Sequence, residues 1–304
     1  MIFGMTVGIY GIGLETYWPQ FNGLKERLTQ NLDRIVAELQ ECDIEVVNLG
    51  LVDSPEAATS TAEQFRTKSI ELLFLYISTY ALSSTVLPVA RRAGVPVIVL
   101  NIQAVPAIDY QSFNELGDRG TMTGEWLAHC QACCVPEIAS VLARAGIEYH
   151  LITGHFEDGG TWEELRQWVS AAAVRKGLRE STLGVMGHYY AGMLDVYTDV
   201  TMQSSVFGTH IDLIEVDELF TLRERVSDGE IEVKLSEFND TFAVSSRCED
   251  AELRRAAQTS VALDTLVHEH GLGALALLLR RPTGKRTREH HDLYYRRNNT
   301  AHRT

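Results

Sequence analysis

The chain has 304 residues, enough for two domains of ordinary size that each bury their own core. Its 27 basic and 41 acidic residues leave a formal net charge of -14, which disfavours nucleic acid and anionic membrane surfaces as partners. The N-terminus MIFGMTVGIYGIG has no basic leader or small-residue cleavage site, and no apolar run approaches the roughly 18 residues of a membrane span, so a cytoplasmic globular protein without a membrane partner is expected.

Residues 6–10 predict a short apolar strand, followed by a glycine-containing loop and an amphipathic helix over about 24–41. A strand over 45–49, a helix over 59–68, a buried strand over 72–77, a helix over 82–93 and a strand over 95–101 follow, the last entered by a Gly-Val-Pro turn. A helix over about 123–145 and a strand over 149–153 complete this series. Strict alternation of strand and helix predicts a parallel sheet covered on both faces. A second alternating unit starts with a helix over 162–176, a strand over 181–187 running into a His-Tyr-Tyr loop, a strand over 209–216 and a helix over 253–270. The expected fold is α/β, with two Rossmann-like or flavodoxin-like parallel-sheet domains in tandem: residues 1–157, then 158–276, the second incomplete, with an aberrant basic tail over 277–304.

The character of the chain changes at Leu277. Segment 277–304 holds seven Arg and one Lys against Glu289 and Asp292, leaving 19 basic and 39 acidic residues before it. Residues 267–276 read as a helix end with glycine stop signals entering a buried strand, which Leu277 should continue. The Arg-rich stretch that follows has no period of 2 or 3.6. A basic tail can be a nucleic-acid arm, but the abrupt break in pattern favours a slip of the reading frame. With codons CTA CTA CTA CGA AGG for residues 277–281, moving the frame by one base reads Tyr-Tyr-Tyr-Glu-Gly.

The loop GIYGIGLETYWPQFNG follows the first strand, where open parallel sheets place ligands. Its glycines do not fit the dinucleotide pattern: G-x-G-x-x-G would need glycine at Thr16, and Trp18-Pro19 occupies the start of a phosphate-binding helix. It reads either as a tight turn packing Tyr17 and Trp18 or as an aromatic platform for a sugar. The five cysteines, Cys42, Cys130, Cys133, Cys134 and Cys248, are odd in number and dispersed, against a disulfide framework and for a reducing compartment. His129-Cys130-Gln131-Ala132-Cys133-Cys134 lacks the second pair a closed zinc site needs, so buried helix cysteines are expected. Gln131, polar among small residues, could donate to a ligand hydroxyl. His155, at a strand end, and His188, Tyr189 and Tyr190, in the loop after a second-domain strand, read either as functional groups or as side chains bonded locally. His268-Glu269-His270 is not H-E-x-x-H and reads as a solvated helix end.

The run YHLITGHFED at 149–158, the following WEELRQWVSAAA, the strand and loop LGVMGHYYAGMLDVYTD, and FGTHIDLIEVDEL resemble the L-arabinose isomerase family. The likeness covers most of residues 5–276. It implies an aldose–ketose isomerase of the L-arabinose to L-ribulose type that uses Mn2+, with a metal-stabilised enediolate and carboxylates moving the proton. The family's metal and acid/base residues, two Glu and two His, all lie beyond the position matching Ala276. No catalytic or metal-binding residue is therefore assigned, no Mn2+ is expected on this chain, and the chain alone is expected to be inactive. The family assembles as oligomers in which a neighbour's first domain closes the sugar pocket, and Tyr17, Gln20 and Gln131 match that rim. A non-catalytic sugar-binding module is the alternative.

Overall fold

The computed structural model describes residues 4–189 and 192–278. The chain divides into two compact units, Met1–Lys176 and Gly177–Thr304. The boundary expected near residue 158 falls at the start of a helix that continues past this division.

The first unit alternates as the sequence implies. Its elements are β1 (Thr6–Ile12), α1 (Leu24–Gln40), β2 (Glu45–Val52), α2 (Pro55–Lys68), β3 (Leu72–Ile77), α3 (Leu87–Ala93), β4 (Val97–Gln103), α4 (Tyr110–Glu115), α5 (Arg119–Ala128), α6 (Val135–Arg144), β5 (Tyr149–His155) and α7 (Gly159–Glu180). The five strands are all parallel in the order β2-β1-β3-β4-β5, a doubly wound arrangement.

Successive strand side chains point to opposite faces, and both faces are apolar. Val7, Ile9, Phe74, Tyr76, Ile98 and Leu100 meet Leu32, Ile35 and Leu39 of α1 and Trp162, Leu165 and Val169 of α7. Tyr10, Ile12, Leu73, Leu75, Ile77 and Val99 meet Ala58, Ala62 and Phe65 of α2, Val89 of α3, and Ile138 and Leu142 of α6. The apolar stripe of α1 that made it readable, Leu24, Leu28, Leu32, Ile35 and Leu39, is the stripe it buries. Ser54 caps α2 by accepting from Ala57 N, with Pro55 in the first turn, where its missing N–H costs nothing.

One expected helix is two. Residues 119–144 bend by 71° between α5 and α6, with a single 3-10 turn, Ala132–Cys134, in the bend. Pro136 lies in the first turn of α6, where its missing N–H costs nothing, and so marks where the second helix starts. Among the described residues no single helix is long and apolar enough to cross a membrane.

The second unit holds β6 (Thr182–Gly187), α8 (Val200–Phe207), β7 (His210–Ile214), α9 (Val216–Arg225), α10 (Asp228–Thr241), α11 (Asp250–Glu269) and β8 (Ala274–Leu278). Its strands are parallel in the order β7-β6-β8. Met186 and Ile214 pack with Leu219 and Leu222 of α9 and Ala262 and Leu266 of α11. Helix α10, not anticipated, carries a capping box in which Ser227 and Glu230 satisfy each other's backbone N–H groups, a signal present in the sequence as Ser-x-x-Glu. The last strand does not stop at Leu277: Leu277 pairs with Met186 and Leu278 with Gly187. The rest of the basic tail and Tyr190 lie outside the described residues.

Candidate functional site

In an open parallel sheet a crevice forms at the carboxyl ends of adjacent strands whose connections run in opposite directions, here between β1 and β3. Three segments meet there: the loop after β1, residues 78–80 after β3, and the bend between α5 and α6.

The loop after β1 is stitched to the end of β2 by Gly13 N to Val52 O at 2.9 Å and Glu15 N to Asp53 O at 3.2 Å. A 3-10 turn, Glu15–Tyr17, then brings the aromatics round. The Trp18 indole N–H donates to Asp53 Oδ2 at 2.7 Å, and Lys25 Nζ lies 3.3 Å from the same oxygen and 5.3 Å from the centre of a Trp18 ring. The ring covers Gly13 so closely that a Cβ there would lie 2.7 Å from Trp18 Cζ2. Tyr17, Trp18 and Phe21 pack on Leu24 and Leu28 of α1, Leu127 and Ala128 of α5, and Tyr80. Both aromatics singled out in the sequence are thus half-buried against a small apolar cluster. Partial burial and the neighbouring Tyr80 raise the Tyr17 phenol above its ordinary value.

Gln131 sits in the bend and is fully buried. Its amide donates to Ser78 O at 3.0 Å and Ala128 O at 2.8 Å, so it joins the end of β3 to the end of α5. Thr79 Oγ1 donates to Leu127 O at 2.7 Å, and Ser78 Oγ to Ile12 O at 2.5 Å. Gln131 Oε1, Tyr76 Oη and Asn31 Nδ2 are buried and none meets hydrogen-bond geometry with any described group. Gln131 and Asn31 nevertheless lie near enough to the Tyr76 phenol to oppose the burial that drives its pKa above the tyrosine range. The three side chains therefore form a buried polar cluster that is close but not directly bonded.

Tyr17 and Gln131 flank the same turn of α5, Leu127–Ala128. Gln20 does not join them: it is exposed, and its amide folds back onto Thr16 O.

Beside His129, the expectation of a continuous helix of buried cysteines is corrected. Cys130 and Cys134 are buried, but Cys133 is exposed and forms a disulfide with Cys130. An odd, dispersed cysteine count argues against a framework, but it carries no information about one pair closed across a turn. His129 Nε2 lies 3.0 Å from Glu125 Oε1, and Arg27 donates to the other oxygen of Glu125 at 2.6 Å; chiefly through that bond, Glu125 is held below its ordinary pKa.

His155 Nδ1 accepts from Glu157 N at 3.3 Å, the local backbone bond anticipated as one of its two readings. Beside it, Asn101 and Gln103 end the otherwise apolar β4, Gln103 bonding Asn101 Oδ1 at 2.9 Å and Asn101 bonding Thr153 Oγ1 at 3.3 Å. Two amides closing a Val/Ile/Leu strand are the signal of this polar edge in the sequence. His188 is exposed, and Tyr189 packs on Tyr197 with ring centres 5.6 Å apart. His268 is exposed as expected, but His270 is not simply solvated: its two ring nitrogens lie 2.7 Å from Asp212 and 2.7 Å from Glu218. Among the described residues no group of three or more His, Cys, Asp or Glu side chains is arranged to hold a metal ion.

No family model matches the chain. It is 24 % identical over 143 residues to an L-arabinose isomerase of Nocardioides sp., a match covering 45 % of this chain and 28 % of the relative. L-arabinose isomerases of Bifidobacterium adolescentis and Mycolicibacterium smegmatis are 23 % and 26 % identical over 141 and 127 residues, covering 45 % and 42 % of this chain. These matches span 28 % and 24 % of the two relatives' lengths, less than a third in each case. Together they support a distant relationship between this chain and the L-arabinose isomerases.

Proposed function

We propose that this chain is the sugar-facing part of an isomerase-like protein acting on a small aldose of the L-arabinose type. The observation that supports it is the distant match to L-arabinose isomerases, combined with the placing of Tyr17 and Gln131 about one turn of α5 at the switch point of the first sheet. In this reading Tyr17 offers a ring face to the sugar's C–H groups, while Gln20 and Gln131 are its polar contacts. Gln131 must exchange its carbonyl partners to reach a ligand. Gln20 need only release Thr16 O.

The resemblance assigns none of the family's metal and acid/base residues to this chain, so the part proposed for the described residues is to bind and orient the sugar. The purified chain is proposed to bind sugar without turning it over, as the resemblance implies by placing the family's metal and acid/base residues beyond the position matching Ala276.

Calorimetric titration with L-arabinose and with L-ribulose tests this, alongside a conversion assay in Mn2+. Binding that weakens about tenfold or more in Tyr17→Ala supports the reading. Absence of binding overturns the sugar assignment, and turnover by the purified chain overturns the non-catalytic one. A finer proposal, that segment 277–304 is written out of frame, is decided by resequencing the gene across the codons for Ala276 and Leu277.

A further inference from the structure

Cys130 and Cys133 are joined across the bend between α5 and α6, with Gln131 and Ala132 between them. The two sulfurs are unequal. Cys130 is 1 % exposed, whereas Cys133 faces solvent. Cys133 lies in the 3-10 turn, Ala132–Cys134, that leads into α6. The adjacent Cys134 is a poor competitor, being buried with its Sγ 3.6 Å from Thr79 O. Inside the four-residue ring lies Gln131, whose amide ties the bend to Ser78 at the end of β3. The disulfide therefore closes the segment that forms one wall of the crevice.

We propose that Cys130–Cys133 is a reversible thiol–disulfide exchange site for low-molecular-weight thiols and disulfides, with Cys133 exchanging with solution and Cys130 resolving. In the oxidising direction the Cys133 thiolate attacks one sulfur of a small disulfide RSSR, forming a mixed disulfide and expelling RS−. The Cys130 thiolate then attacks the Cys133 sulfur and expels the second RS−. Two thiols and one RSSR become one protein disulfide and two RSH, so two electrons pass to the small disulfide and the protons released by the cysteines end on the leaving thiolates. Reduction runs the same steps backwards. The site stands whether or not the crevice holds a sugar.

The full chain is equilibrated in a series of reduced and oxidised glutathione ratios, quenched in acid, alkylated and peptide-mapped. The wild type should pass from dithiol to the 130–133 disulfide across the series, read as the loss of both alkyl groups from the peptide that holds the two cysteines. Cys130→Ser should accumulate glutathione on Cys133, while Cys133→Ser leaves Cys130 unmodified. Since Cys130→Ser alters a buried position, the reduced wild type gives a second readout: native alkylation of Cys133 should outpace that of Cys130 by at least about tenfold. A pair that stays in one state throughout the series, or equal alkylation of the two thiols, would overturn the proposal.

Discussion

The indole nitrogen of Trp18 donates to Asp53 at 2.7 Å, tying the loop that leaves β1 to the loop that leaves β2. One hydrogen bond to a largely buried carboxylate thereby fixes where the aromatic side of the crevice stands. Asp53→Ala removes the acceptor and leaves the Trp18 N–H to find water. A loss of about 1.5–3 kcal/mol in denaturant unfolding is expected, the range for bonds to charged groups, with a red-shifted tryptophan emission.

Gly13 is required by the same ring, since a Cβ would press on Trp18 Cζ2. Gly13→Ala should cost about 1–3 kcal/mol by overpacking. In a Trp18→Phe background, where the atoms it strikes are gone, most of that cost should vanish. A double-mutant cycle measured by urea unfolding checks this, and additive losses would show that the strain lies elsewhere.

His270 bridges Asp212 on β7 and Glu218 on α9. Its pKa is raised, first by the hydrogen bond to Glu218 and then by that to Asp212. A histidine whose folded pKa exceeds its unfolded value of about 6.5 contributes stability that is fully present below that value and lost as pH rises through the folded pKa. Thermal melts should therefore fall in Tm as pH climbs above about 6.5, and His270→Gln should flatten that slope. The ring and its partners are partly exposed, so the effect should shrink in salt.

Gln131 and Tyr76 should respond differently to loss of their polar atoms. Gln131→Leu strips two backbone carbonyls, Ser78 O and Ala128 O, of their donor and should cost about 2–4 kcal/mol. Tyr76→Phe removes a hydroxyl that makes no direct bond and should change stability by less than about 1 kcal/mol. Equal losses in the two variants would mean that the phenol is bonded in solution.

The first sheet was legible in the chain because its strands are buried on both faces and its helices on one, so the alternation of apolar runs and amphipathic stripes records the topology directly. Leu72–Ile77 and the stripe from Leu24 to Leu39 needed no tertiary information. The same holds for the glycine stop before β8. What periodicity could not supply was anything set by contacts between distant residues. Pro136 marks a helix start that the sequence carries, but the pairing of Cys130 with Cys133 needed the turn itself. Asp53 is 35 positions from Trp18, and nothing local marks it as the acceptor. Gln131 stands out because its neighbours are small, but nothing local shows that packing against β3 puts its amide on the Ser78 and Ala128 carbonyls. His270 looked solvated because its partners, Asp212 and Glu218, come from elements more than fifty residues earlier. Sequence determined which faces are buried, since burial follows hydrophobicity residue by residue; tertiary structure decided which polar groups meet, since a hydrogen bond depends on positions that only the assembled sheet and helices fix.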